Sequence, residues 1–182
     1  GGVVAEYTVM RQGANDFYLV STPAGEVLNF DTLSRHLPKD GSVELRNVSE
    51  TMGVLALTGP RARDILQPLT DNDLSSEAFP WLSFQTGEVG YARDVKLIRV
   101  SYSGELGWEL HHPLSYNRHL VDRLIKAGGP LGMKFFGLEA IESLRLDKGY
   151  RAIRRELAPD ISPLEAGLER FVRLDKGDFL GR

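Results

Sequence analysis

Two carboxylates are set apart by their surroundings. In "RVSYSGELGWELHHP", from Arg99 to Pro113, Glu105 lies between Gly104 and Gly107, flanked by residues that alternate as strands do. Glycines free the backbone from Cβ contacts and let a ligand or another segment approach, while an ionised carboxylate presents two acceptor oxygens along one edge. Such an edge complements two parallel N–H donors. Guanidinium groups carry that pattern, and so does the 2-amino-4-oxo edge of a pterin, where N3–H and the 2-amino group lie side by side. A solvated acid at a hairpin tip is the alternative that the local sequence leaves open.

The second carboxylate is Glu6, in "VVAEYTV". Strand alternation sets it on one face with Val4 and Thr8, opposite Val3, Ala5 and Tyr7. A carboxylate in an apolar-looking strand must be solvated, paired or functional. In a cleft, burial favours the protonated form and suits such a group to accept or relay a proton. The alternative is an acid on the wet face of a half-exposed strand.

Cations gather further along. Arg145, Lys148, Arg151, Arg154 and Arg155 fall within eleven positions, a density that fits the polyglutamate tail of a cofactor or an amino-acid carboxylate, and equally a solvated helix end. The four histidines, His36, His111, His112 and His119, have no H-E-x-x-H spacing, and adjacent His111 and His112 should point to opposite faces of a strand. No metal is expected. Absence of cysteine removes disulfides, thiolate metal sites, iron–sulfur ligation and a cysteine nucleophile together.

The elements that would position these residues read as mixed. "GGVVAEYTVMR" and "FYLVS", joined by the turn-like "QGAND", predict a hairpin. Leu28, Leu33 and Leu37, with Pro38 as a stop, predict a helix over Ala24 to Leu37. "VELRNV" and "GVLALTG" read as strands, and "GPRARDILQPL" as a helix entered through Gly59 and Pro60. Strands are expected in "WLSFQTGEV", "VKLIRVSY" and "GWELHH", and helices over Tyr116 to Ala127 and Leu138 to Lys148. "SPLE" has the form of a capping box, Ser162 with Glu165, on either a helix or a short turn. Without strict alternation of strands and helices the expected class is α+β. Neither G-x-G-x-x-G nor G-x-x-x-x-G-K-[ST] occurs, so a dinucleotide or P-loop cradle is not expected.

With 182 residues, 22 Lys+Arg and 25 Asp+Glu, the chain can bury one substantial core and carries a formal net charge of -3. No overall basic field favours nucleic acid or an anionic membrane. No apolar run nears the roughly 20 residues that span a bilayer, and the first residues lack the basic segment and apolar stretch of a secretory signal. The expectation is a soluble chain of the cytoplasm, or of the mitochondrial matrix if eukaryotic.

Six segments, "GGVVAEYTV", "GVLALTGPRARDIL", "SYSGELGWEL", "GLEAIESLRLDKGYRAI", "ELAPDISPLEAGL" and "KGDFLGR", resemble in this order the glycine-cleavage T-protein (aminomethyltransferase) superfamily. The Gly-Trp-Glu-Leu and Lys-Gly-Tyr-Arg versions are most similar to the folate-binding portion of dimethylglycine and sarcosine dehydrogenases or oxidases. The resemblance implies a T-protein-type fold of two strand-and-helix lobes around a central cleft. It implies tetrahydrofolate as cofactor, with an amine-derived one-carbon unit passing to the folate nitrogens as 5,10-methylenetetrahydrofolate. Glu105 matches the glutamate of the family's Thr/Ser-Gly-Glu motif, which holds the pterin edge, with Tyr102 and Gly104 beside it as further cofactor-binding positions. Glu6 matches an acidic position, normally aspartate, near the folate N5 and N10 atoms, and is the implied catalytic residue.

Departures accompany the match. The family arginine just before "Ser-Leu-Arg" is replaced by Ile141, Arg154 stands where relatives usually have glycine, and the cysteine of iron–sulfur-assembly relatives is absent from "KGYRAIRREL". Family members begin upstream of "GGVV" and continue past "FLGR" into a small barrel, so residues 1–182 are expected to be part of a folate-binding domain, with FAD held only by a possible upstream domain of the same parent chain. A non-catalytic folate-binding or scaffold module and a folate-dependent demethylase are the alternatives.

Overall fold

The computed structural model describes residues 2–179. The chain divides into two compact units, one of residues 1–46 and 150–182, the other of residues 47–149. The last residues of the "KGDFLGR" segment, Leu180 to Arg182, and Gly1 of "GGVV" lie outside the described residues.

The first unit carries the predicted hairpin. Strands β1 (Thr8–Arg11) and β2 (Phe17–Val20) pair antiparallel, with Thr8 opposite Val20 and Arg11 opposite Phe17. The expected strand over the whole opening is too long, because the ladder starts only at Thr8. Its alternation nevertheless survives in burial: Val4, Glu6 and Thr8 are exposed, while Val3, Ala5 and Tyr7 are half-buried. Backbone bonds from this stretch go instead to the returning chain, where Val3 N–H donates to the carbonyls of Ala158 and Ile161 at 3.1 and 3.2 Å.

Helix α1 (Glu26–Arg35) follows a 3-10 turn at Pro23–Gly25. It forms where the leucine spacing predicts, yet Leu28 is 50% exposed and the one buried residue is Asn29, whose Nδ2 donates to Ser21 Oγ at 3.0 Å. The segment 43–48, "VELRNV", forms no strand, contrary to the expectation there. In the returning chain Ser162 and Glu165 form their capping box around a turn rather than a helix: Ser162 N–H and Oγ–H both donate to the Glu165 carboxylate, at 2.9 and 2.8 Å, and Glu165 N–H donates back to Ser162 Oγ at 3.2 Å.

The second unit is built on a four-stranded antiparallel sheet in the order β3-β6-β5-β4, from β3 (Met52–Thr58), β4 (Phe84–Val89), β5 (Ala92–Ile98) and β6 (Gly107–Pro113). All four were expected from apolar patterning. One face of the sheet buries Leu57, Trp108 and Leu110 against Ile65 and Leu66 of α2 (Ala62–Leu66) and Leu120 and Leu124 of α3 (Asn117–Gly128). Leu120 and Leu124, four positions apart, share one stripe of α3. Each buried leucine contributes about 1.5–3 kcal/mol. Helix α2 starts two residues later than Pro60, after a turn in which Ala62 N–H donates to Gly59 O at 3.0 Å, and it is only five residues long. Helix α4 (Leu138–Asp147) agrees with expectation.

His111 and His112 do point to opposite faces. The buried His112 ring bonds to Leu110 O through Nδ1 at 2.9 Å and to Asn117 Oδ1 through Nε2 at 3.2 Å, at the start of α3, whereas His111 Nε2 meets Glu109 Oε2 at 3.0 Å. The architecture is α+β, as expected.

Candidate functional site

The bend that carries Glu105 joins β5 to β6 across the middle of the sheet. A hydroxyl triangle holds it: Thr58 Oγ1, at the end of β3, lies 2.9 Å from Ser101 Oγ and 2.8 Å from Ser103 Oγ, and the two serine oxygens are 2.8 Å apart. Ser103 is buried, so these bonds satisfy a hydroxyl that water does not reach. A turn follows in which Gly104 N–H donates to Ser101 O at 3.2 Å, with Gly104 at φ 73°. That left-handed conformation is the first reason for glycine there. The second is Lys148, just beyond α4, whose Cγ, Cδ and Cε fill the place a Cβ would take.

Gly107 has a separate role. A Cβ there would come within 2.8 Å of Leu57 O and 3.2 Å of Thr58 Cα, so Gly107 admits the backbone of β3. Between these two constraints Glu105 projects outward, its side chain 43% exposed, with Lys148 Nζ 3.9 Å from Oε1. Tyr102, 39% exposed, stands on the same bend. Thus Tyr102, Gly104 and Glu105, the three expected cofactor-binding positions, share one braced turn of the second unit. Glu6 belongs to the first unit, exposed in the extended stretch before β1; its neighbour Tyr7 has its phenol pushed up by burial.

Behind the bend lies a small cavity of about 30 Å³, bordered by Thr58, Ser101, Tyr102, Ser103, Glu109 and Ile141 among others. One water occupies a comparable share of the liquid, about 30 Å³, so the space is too small for a ring system. Ile141 thus lies beside the bend at the position where the resemblance would have an arginine. Glu109 and Ile141 were missed as site neighbours in the sequence because both sit inside regular elements with no local signal of what they border.

The cationic run does not form one patch within a unit. Arg145 and Lys148 belong to the second unit and Arg151, Arg154 and Arg155 to the first. Arg145 is buried, and its guanidinium binds the Glu142 carboxylate through Nε at 3.1 Å and through Nη2. Arg151 Nε donates to Ala166 O at 2.8 Å and Arg154 Nη2 to Ala24 O at 3.0 Å. Arg145, Arg151 and Arg154 thus bind their own unit's chain, while Lys148, Arg154 and Arg155 are exposed. Among the described residues no group of three or more His, Cys, Asp or Glu is placed to hold a metal, and no helix is long and apolar enough to cross a membrane.

Residues 1–176 match the GCVT N-terminal domain family. The chain belongs to that family. This is the T-protein superfamily anticipated from the six segments. Among relatives of this GCVT-domain chain, human mitochondrial dimethylglycine dehydrogenase is 41% identical over 184 residues, covering 100% of this chain and 21% of the relative. An aminomethyltransferase of Thermoanaerobacter sp. (strain X514) is 36% identical over 186 residues, covering 100% of this chain and 49% of the relative. The chain therefore spans between a fifth and a half of these relatives' lengths. The crystal structure of the glycine cleavage system aminomethyltransferase T from Bartonella henselae matches with a TM-score of 0.76 at 24% identity, over 96% of this chain and 45% of that one, which shows the fold.

Proposed function

We propose that this GCVT-domain chain is the folate-binding part of a tetrahydrofolate-dependent one-carbon transferase, of the kind found in aminomethyltransferases and dimethylglycine or sarcosine dehydrogenases. The observation that carries the reading is the braced bend at Gly104, which holds the Glu105 carboxylate outward while fixing its backbone. Two acceptor oxygens on a rigid support suit paired N–H donors, because little ordering entropy remains to be lost on binding. The residues present fit a pterin edge on this ground. The cavity behind the bend is too small for the ring, so the ligand would lie on the exposed side of the carboxylate.

Tetrahydrofolate, when bound, supplies the nitrogens that accept the one-carbon unit. Glu105 would hold the N3–H and 2-amino donors and so orient the ligand, with Tyr102 beside it. Gly104, at φ 73°, would set the turn that presents the carboxylate. Glu6 would accept a proton or stabilise positive charge. Its side chain is one methylene longer than the aspartate expected at this position, and it is exposed. The one-carbon donor in this reading is amine-derived. FAD belongs to an upstream domain of a longer parent chain, in the cytoplasm or the mitochondrial matrix.

The test is calorimetric titration of tetrahydrofolate into the full parent protein, with a parallel assay for 5,10-methylenetetrahydrofolate in the presence of its amine substrate. Binding together with product formation is expected. Binding without product would leave a folate-binding module, and no binding would end the reading.

A further inference from the structure

A second group of side chains in the sheet unit has no part in the folate reading. Arg63, on α2, and Arg99, just past the end of β5, both reach the hydroxyl of Ser76: Arg63 Nη2 donates to Ser76 Oγ at 3.2 Å and Arg99 Nη2 at 3.3 Å. Each guanidinium is anchored behind. Arg63 Nε donates to Leu74 O at 2.8 Å, and Arg99 Nη1 donates to Phe79 O. Both lie over the fully buried ring of Trp108, with their Cζ atoms 5.8 and 5.9 Å from its centroid, and Phe79 closes on that ring edge-to-face. Two cations are therefore held in fixed orientation above one aromatic ring, and both are aimed at one neutral oxygen.

Electrostatics makes this arrangement informative. Two guanidinium groups within reach of a single atom repel each other, and a hydroxyl brings no charge to offset that. The Trp108 ring attracts both cations by its face, which compensates part of the cost. Arg63 acts on Asp73, whose carboxyl is held below its ordinary range first by the backbone N–H and then by the hydroxyl of Ser75, with Arg63 adding a smaller share. Asp73 is therefore already engaged with Ser75. Each guanidinium has five N–H donors, and the bonds above engage two on each. Ser76 itself is exposed, so the remaining donors border a position that solvent and solutes reach.

We infer that Arg63, Arg99 and Ser76 form a binding site for a compact phosphate-class oxyanion. Free phosphate would take charge-assisted bonds from both guanidinium groups and one from the Ser76 hydroxyl, which would turn from acceptor to donor. The site orders the loop from Leu74 to Phe79 against the sheet.

The experiment is a thermal-unfolding series in inorganic phosphate against chloride at matched ionic strength, on the wild-type chain within its parent protein, on Ser76→Asp and on Arg99→Gln. Wild type should rise in Tm by about 2 °C or more once phosphate reaches roughly tenfold its Kd. Ser76→Asp keeps both arginines and supplies the anion from within the chain. It should unfold at a higher temperature than wild type in chloride and lose the extra response to phosphate. Arg99→Gln should lose the response even where its basal Tm falls. Phosphate stabilises proteins generally by exclusion from their surface, so an equal rise in wild type and Ser76→Asp would identify that general effect and overturn the site, as would a wild type with no rise.

Discussion

Lys148 lays its aliphatic chain over the face of Gly104 and brings Nζ to 3.9 Å from the Glu105 carboxylate. The two side chains are 46% and 43% exposed, so their attraction is worth about 0–1 kcal/mol. Packing of the lysine stem against a residue that must lack a Cβ is the more specific part of this contact. Gly104→Ala should destabilise by about 1–2 kcal/mol, through its φ of 73° and through the displaced lysine stem. In a Lys148→Ala background the same change should cost less, because only the backbone term remains. Urea unfolding of the four proteins in this cycle measures the difference; equal costs would remove Lys148 from the account.

Glu105→Gln retains one acceptor oxygen and loses the charge. Tetrahydrofolate binding to the parent protein is expected to weaken by about 1–3 kcal/mol, or roughly 5- to 150-fold. Calorimetry reads this directly, and an unchanged Kd would take Glu105 out of the proposed site.

Glu6→Gln should lower turnover of the parent protein more than it lowers folate affinity, since the proposed role is in proton handling rather than in grip. A steady-state kcat equal to wild type would leave Glu6 as an ordinary exposed acid.

The buried Arg145 depends on Glu142, which binds it through both carboxylate oxygens. Removing one partner of a buried ion pair is costly, so Glu142→Ala should cost about 3 kcal/mol. Adding Arg145→Met should restore part of that loss, because apolar replacement of both partners avoids the desolvation cost. Denaturation midpoints of the single and double variants test this; no recovery in the double variant would show that other contacts of Arg145 carry the stability.

Glu165 has its carboxyl held below the ordinary range, first by the Ser162 backbone N–H and then by the Ser162 hydroxyl. A carboxyl depressed in the folded state adds stability that is complete above its unfolded value, near pH 4 or about 4.3, and is lost as pH falls through the lower folded value. An NMR carboxyl titration should place Glu165 below free glutamate. Ser162→Ala should raise the midpoint only part of the way back, because the backbone donor stays.

Sheet and helices of the second unit were legible because each signals itself over a few residues. Leu120 and Leu124 sit one helical turn apart, and Leu57, Trp108 and Leu110 sit on the core side of alternating runs. Glu105 stood out for a comparable reason, its acid type between two glycines. At Val43 to Val48 the same kind of pattern misled, since alternation records which side is wet and a strand also needs a partner from elsewhere. Val3 illustrates the point from the other side: its alternation is real, but its N–H goes to Ala158 and Ile161.

By itself, the amino-acid order determined the fold class, the family and the acid at the bend, all of which rest on periodicities and motifs carried within short segments. Tertiary structure alone decided that Thr58 braces Ser101 and Ser103 across separations of 43 and 45 residues. It also decided that Gly107 serves β3 while Gly104 serves Lys148, that Ile141 borders the bend, and that Arg63 and Arg99 converge on Ser76. The reason is that hydrogen bonds and charge contacts act over a few ångströms, whereas the residues that make them are dispersed along the chain, and only folding brings them within range.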